Sequence, residues 1–290
     1  MEKTLLYAPA PAKINLYLKV TGKRPNGYHE LESLFLPLNN IADDIAIDCD
    51  ALPGAITVGC SDVMLPGGTK NIAGKAAELW AKKCCHVPHW DINIAKNIPV
   101  AAGMGGGSSD AATVLKLLND SNNKPLSDKE LSTAALELGA DVPYFLDARP
   151  AIMTGIGEIC TPLEFAVPDL HLLLLSPKFP VSAAEGYRLM PDNKISAMSE
   201  TLRNDILAAL QNNDPEKLGK LIFNDLQAGV FNKYPILEML SQEISSTGAL
   251  SVLMTGSGPT LFALYSNRET LKQAQNALQS QHPEFKVFTN

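Results

Sequence analysis

Along the first sixty positions apolar residues alternate with polar ones, the period of β-strands. Ile14, Leu16, Leu18 and Val20 share one face of a strand over 13–20. Pro25-Asn26-Gly27 reads as a turn, and strands resume over 31–38 and 41–47. Near residue 71 the spacing lengthens. Ile72, Ala76, Leu79 and Trp80 recur at helical intervals and predict a helix over 71–83. A short alternating strand over 91–94 leads into a glycine-rich loop and an apolar helix through Ala111, Val114, Leu115 and Leu118. A helix over 128–138 meets a stop at Gly139. From about residue 160 the pattern predicts a buried strand over 170–175, then helices near 201–210, 216–231 and 236–245. Strand 249–254, a Gly-Ser-Gly loop, strand 261–265, helix 269–280 and strand 285–288 complete the chain. Strands and helices in this order predict an α+β class with helices on one face of a small sheet. There is no internal repeat and no long linker, and a domain boundary is expected near 150–162, at Arg149-Pro150 and Thr161-Pro162.

Length agrees with that boundary, since 290 residues suggest two domains at roughly 150 residues each. With 46% hydrophobic residues the chain can build real cores, which excludes wholesale disorder. A net charge of −7, from 24 basic and 31 acidic side chains, argues against a nucleic-acid surface. It leaves small anionic ligands open, because residues 1–30 carry five basic side chains (Lys3, Lys13, Lys19, Lys23, Arg24) against Glu2 and Glu30. The most apolar run, Leu170 to Leu175, is interrupted by His171 and falls short of the ~20 residues of a membrane helix. Leu5-Leu6-Tyr7 before Ala8-Pro9-Ala10 imitates the end of a signal peptide but is too short, and reads as a first strand. Five cysteines with no CxxC pair point to a reducing, cytoplasmic setting. Cys84-Cys85-His86 with His89 could trap a metal, but Pro88 breaks the helix that would align them. The expected reading there is the end of a helix entering a strand.

The strongest chemical signal is the run from Pro99 to Ala112. Gly103, Gly105, Gly106 and Gly107 remove the Cβ atoms that would block a ligand's approach to the backbone. Ser108, Ser109 and Asp110 are helix-starting residues. A glycine loop feeding a helix N-terminus offers free N–H groups and the positive end of the helix dipole to phosphate. Two common phosphate motifs are excluded: no GxxxxGK[ST] occurs, and GxGxxG fails because Ser108 stands where its last glycine would.

Three segments, in order, resemble the GHMP small-molecule kinases: Pro11-Ala12-Lys13-Ile14-Asn15-Leu16, the loop from Pro99 to Ala112, and Thr255-Gly256-Ser257-Gly258-Pro259-Thr260. Gly22-Lys23-Arg24-Pro25-Asn26-Gly27-Tyr28-His29-Glu30-Leu31 and Leu138-Gly139-Ala140-Asp141-Val142-Pro143-Tyr144-Phe145 resemble the branch of that family acting on 4-diphosphocytidyl-2-C-methyl-D-erythritol. Asn26 stands where Asp is frequent in that branch and Met104 where Leu is usual, and neither departure removes a group the chemistry needs.

The resemblance implies a two-domain GHMP fold with the active site between the domains. A ribosomal-protein-S5-like domain over 1–155 would bind ATP, and a ferredoxin-like α+β domain would cover 156–290, its last strand free to pair back with the first domain. It implies transfer of the ATP γ-phosphoryl group to the 2-hydroxyl of the cytidyl substrate, in non-mevalonate isoprenoid synthesis. Homoserine or mevalonate phosphorylation, or nucleotide binding without catalysis, are the alternatives. Asp141 would be the base and Lys13 its electrostatic partner; on local chemistry alone they would pass as a helix cap and a solvated strand lysine. Asn15, Tyr28, His29 and, from the second domain, Tyr187 would hold the substrate. ATP phosphates would rest on Pro99, Val100, Ala101, Ala102, Gly103, Met104, Gly105, Gly106, Gly107, Ser108 and Ser109, with Lys96 nearby. Mg²⁺ is expected to accompany ATP, its ligands left open. No nucleic-acid or membrane partner is expected, and the protein would be a monomer or homodimer.

Overall fold

The computed structural model describes residues 4–52, 54–191 and 195–290; Glu2 and Lys3, counted in the N-terminal charge, lie outside the described residues. Two compact units emerge, each assembled from three stretches of chain. One comprises Met1–Ala12, Pro37–Val100 and Gly105–Ala148, the other Lys13–Leu36, Ala101–Met104 and Arg149–Asn290. Two long strands, β1 (Leu5–Lys23) and β2 (His29–Asp48), contribute to both.

The sequence pattern divides β2 into two strands, yet its backbone is continuous. The reason is a phase shift at Asn39-Asn40. Buried positions move from Leu34, Leu36 and Leu38 to Ile41, Ile45 and Ile47, while the two asparagines stay exposed. Alternation breaks there although the strand does not.

In the first unit the end of β2 pairs antiparallel with β4 (His89–Ala95), and β3 (Ala55–Cys60) runs parallel to β4. Helices α1 (Ile72–Cys84), α2 (Gly106–Ser121), α3 (Asp128–Leu138) and α4 (Val142–Phe145) belong to the same unit. The Asn71 side chain caps α1, and Ser127 with Glu130 forms a capping box on α3. Buried Trp80 of α1 donates its indole N–H to Asn119 Oδ1 of α2 at 3.2 Å, so the polar edge of a large apolar ring is satisfied. Cys84 ends α1, Cys85 turns the chain in a left-handed conformation, and the His86 ring stacks on Trp90 at 5.5 Å. The Cys-His cluster is thus a helix end entering a strand. Among the described residues no three His, Cys, Asp or Glu side chains gather as a metal site.

In the second unit the start of β2 pairs antiparallel with β5 (Ala151–Thr154), which pairs with β6 (Ile159–Pro162). Strands β7 (His171–Ser176), β8 (Ser251–Met254), β9 (Leu261–Tyr265) and β10 (Lys286–Thr289) form an antiparallel sheet in the order β10-β7-β9-β8. The last strand therefore takes β7 as its partner. Helices α5 (Ala183–Leu189), α6 (Glu200–Gln211), α7 (Pro215–Leu221), α8 (Gln227–Lys233), α9 (Pro235–Ser246) and α10 (Arg268–Gln281) complete the unit. Leu173 and Leu175 of β7 and Leu261, Ala263 and Tyr265 of β9 share a core with Val230, Leu240, Ile244 and Leu278, the period-2 face of a sheet meeting helices.

The helix expected over 216–231 is interrupted between α7 and α8. There the backbone bonds to β1: Leu18 N–H donates to Phe223 O at 2.9 Å and Asp225 N–H to Leu18 O at 3.0 Å. A strand contact has replaced the helical ladder, an outcome that apolar spacing alone cannot show.

Candidate active site

Helix α2 begins at Gly106 with Gly105 as its cap, in the left-handed region at φ 75°. The expected starters Ser108, Ser109 and Asp110 therefore lie inside the helix, because a glycine reaches the turning conformation more easily than a serine does. No side chain caps the first turn, which leaves its N–H groups to an anion. Gly107 is exposed and Ser108 half-buried, whereas Ser109 and Asp110 are buried, with Ser109 Oγ and Asp110 Oδ1 lacking hydrogen-bond partners. Upstream, Val100 and Ala101 are exposed, Pro99 is half-buried, and Ala102 and Met104 point into packing. Gly103 is glycine by necessity: a Cβ would lie 2.1 Å from Thr255 O, and its φ is 76°.

Lys13 is only 3% exposed. Its backbone N–H donates to Met104 O at 3.0 Å, and its ammonium donates to Asn15 Oδ1 at 2.7 Å and Gly103 O at 2.9 Å. The ammonium also lies 4.7 Å from the centre of the Phe35 ring. This is not a solvated strand lysine; burial among directed acceptors suits a fixed point charge.

Asn15 is equally enclosed. Its Nδ2 donates to Ser33 Oγ at 2.9 Å and its backbone N–H to Thr255 Oγ1 at 3.0 Å. On the same face of β1, the Tyr17 hydroxyl donates to Glu32 Oε1 at 2.9 Å, and Arg203 grips both Glu32 oxygens at 2.7 and 2.6 Å. Burial, and then the Glu32 carboxylate, hold the Tyr17 hydroxyl protonated, its pKa raised far beyond the ordinary range.

Lys96 is not a solvated charge either. Its ammonium is held by Asp43 Oδ2 and, at 2.8 Å, by Asp110 Oδ2. Asp43 Oδ1 in turn accepts N–H bonds from Asn97 and Ile98 at 2.6 and 2.9 Å. A Cβ on Gly106 would come within 3.0 Å of Ile98 and 3.3 Å of the Lys96 ammonium, so the first turn of α2 lies directly against this cluster. Burial alone would favour neutral lysine, but Asp110 and Asp43 outweigh it and raise the Lys96 pKa. Burial pushes Asp110 up to about 7 against the pull of Lys96, with Asp43 adding to the push.

His29 and Tyr187 come together as stacked rings, centroids 5.2 Å apart and planes 12° apart. Tyr28 beside them is 60% exposed. The preceding turn is fixed by Arg24 N–H donating to Tyr28 O at 2.7 Å and Tyr28 N–H to Asn26 Oδ1 at 3.2 Å. Tyr187 sits on α5, whose Gly186 packs so closely that a Cβ would lie 2.8 Å from Ser257 Cβ.

Asp141 occupies the cap position of α4, but its side chain makes no capping hydrogen bond. Asp141 is half-buried.

Sequence reading passes over Asp43 and Ser33 as site residues, and names Asp110 and Thr255 only as members of the glycine run and of the Thr255–Thr260 segment. Asp43 carries a signal: it shares the parity of Ile41, Ile45 and Ile47, so alternation puts a charge on a buried face. The others depend on long-range contacts that spacing does not encode.

The chain is similar to known proteins along most of its length. The model of the GHMP kinases N-terminal domain matches residues 71–153, and that of the GHMP kinases C-terminal region matches residues 206–284. A 4-diphosphocytidyl-2-C-methyl-D-erythritol kinase from Geobacter sulfurreducens is 36% identical, over 93% of this chain and 94% of its own. A crystal structure of 4-(cytidine 5'-diphospho)-2C-methyl-D-erythritol kinase is 31% identical, covers 98% of both chains and superposes with a TM-score of 0.81. A homoserine kinase from Cytophaga hutchinsonii shares the fold at TM-score 0.76 but only 17% identity, over 100% of this chain and 95% of its own. With a glycine-capped helix, an enclosed lysine and relatives aligned over nearly their whole length, the chain belongs to the GHMP kinase family, among the 4-diphosphocytidyl-2-C-methyl-D-erythritol kinases.

Proposed function

We propose that the protein transfers the γ-phosphoryl group of ATP to the 2-hydroxyl of 4-diphosphocytidyl-2-C-methyl-D-erythritol, a step of non-mevalonate isoprenoid synthesis. The observation that carries the substrate choice is the His29–Tyr187 stack. Two parallel rings suit a flat pyrimidine, which neither homoserine nor mevalonate contains. A base stacking on the inner face of either ring displaces the other.

The new bond joins the substrate oxygen to the γ-phosphorus, and the bond from the γ-phosphorus to the bridging oxygen of ADP breaks. Asp141 accepts the hydroxyl proton. Lys13, held by Asn15 Oδ1 and Gly103 O, provides fixed positive charge against the negative charge developing in transfer. Free N–H groups at the start of α2 receive ATP phosphates. Mg²⁺, when bound, neutralises phosphate charge. A cytoplasmic location is in keeping with five cysteines that form no disulfide.

Protein with Mg-ATP is expected to release ADP on addition of the cytidyl substrate; turnover of homoserine or mevalonate in its place would overturn the substrate assignment. His29→Ala is expected to raise KM for the cytidyl substrate about tenfold, within the ~1–3 kcal/mol typical of base stacking, and to leave KM for ATP nearly unchanged. Equal effects on both would place His29 outside the base site.

A further inference from the structure

The loop Thr255–Thr260 is held at its base by Asn224. This residue is 8% exposed and lies where the chain between α7 and α8 bonds to β1. Its Nδ2 donates to Met254 O at 2.6 Å and to Gly256 O at 2.8 Å, bracketing Thr255, while its Oδ1 accepts Leu226 N–H at 2.9 Å. Every hydrogen-bonding direction the loop needs from this amide is therefore in use.

Thr255 itself is fully buried. Its hydroxyl accepts Asn15 N–H at 3.0 Å and lies 3.3 Å from Asn15 Oδ1 and 3.4 Å from Gly103 O. Those last two oxygens also receive the Lys13 ammonium. Thr255 and Lys13 thus share two acceptors, so a shift of Thr255 moves the seat of the lysine. Glycine at 256 permits this closeness: a Cβ there would lie 3.0 Å from Gly103 O and 3.2 Å from Asn15 Oδ1. Asp225, the next residue, anchors the same stretch by accepting Val20 N–H at 2.9 Å and Lys19 Nζ at 3.0 Å.

We propose that Asn224 is a positioning residue for phosphoryl transfer, fixing Thr255 and through it the two oxygens that aim the Lys13 ammonium. The proposal rests on the kinase reading above. The Asn224 amide bonds Met254 O, Gly256 O and Leu226 N–H, none of them in the glycine run or at the start of α2, so its loss is read first in the aim of the lysine. A displaced point charge costs transition-state stabilisation, which appears in kcat, while ATP binding stays intact.

Asn224→Asp keeps the shape and the acceptor for Leu226 but turns a double donor into a carboxylate facing two carbonyl oxygens. It is expected to lower kcat at least ~10-fold with KM for ATP within about twofold of wild type, since small misplacements of catalytic groups have effects of this size. Should that variant fail to fold, Thr255→Val removes the shared hydroxyl at nearly constant volume and is expected to give the same kcat-only loss. Thr255→Ser, which restores the hydroxyl, is expected to recover most of it. A folded Asn224→Asp with wild-type kcat would overturn the proposal. So would a Thr255→Val loss that Thr255→Ser does not repair, or one in which KM for ATP rises in step. Wild-type turnover with the cytidyl acceptor is measured alongside; its absence would count against the substrate assignment, and the variant ratios would then be read with the acceptor the wild type does use.

Discussion

Asp141→Asn is expected to lower kcat by at least ~10²-fold, the scale of a general-base contribution. Asparagine matches the carboxylate in shape but cannot take the proton that the substrate hydroxyl must lose as its oxygen attacks phosphorus. The same variant is expected to fold as the wild type does. Asp141 stands at the start of α4 without a capping hydrogen bond from its side chain, so the substitution removes no cap. Stability should stay within about 0.5 kcal/mol, as for substitutions that break no buried contact. KM for ATP should hardly move, because the N–H groups at the start of α2 are untouched. Steady-state kinetics with a thermal melt of the same preparation check both halves of this expectation. Near-wild-type turnover would assign the proton to another acceptor. A large loss of stability would return Asp141 to a structural role.

Helix α3 and strand β9 are legible in the sequence to the residue, since one is a helical stretch with a glycine stop and the other a short apolar run after a Gly-Ser-Gly loop. The errors have local physical causes. Asn39-Asn40 shift the phase of β2 without ending it. The stretch between α7 and α8 has helical spacing, yet its backbone bonds to Leu18 instead. Strand β3 and helix α5 carry too few periodic residues to stand out, and both take shape through tertiary contacts. In the site, the glycine loop is readable because it depends on residues close in sequence. Lys13 and Lys96 stand out only through family resemblance, since a lysine's burial depends on partners far along the chain. Asp43 is the exception: a charge at an apolar parity position marks a buried ionic contact through strand alternation alone.

Lys96→Met tests that buried contact, and its effect is expected to be the largest on stability. Methionine keeps most of the length and packing of the side chain and removes its charge. Two carboxylates, with side chains 0% and 4% exposed, are then left without the ammonium that both bind. Breaking one partner out of a buried ionic group typically costs ~3–5 kcal/mol, because the remaining charge cannot regain water. The penalty should depend on pH in a definite direction. Asp110 already titrates at about 7 in the folded protein, above its ordinary 3.8, and Lys96 is the group holding it down. Without Lys96 the folded pKa rises further. Between the ordinary and the folded pKa the folded state keeps a proton that the unfolded chain has released, so stability falls as pH rises through that window. The difference between wild type and variant should therefore be smaller at about pH 5.5, where Asp110 is protonated, and approach its full size at about pH 8. Urea unfolding at the two pH values measures it. A loss below ~1 kcal/mol at the higher pH, or a variant that gains stability as pH rises, would show that Lys96 does not neutralise this pair. Because Gly106 packs against the Lys96 ammonium, the variant should also raise KM for ATP, coupling a buried charge beneath α2 to the phosphate-binding turn above it.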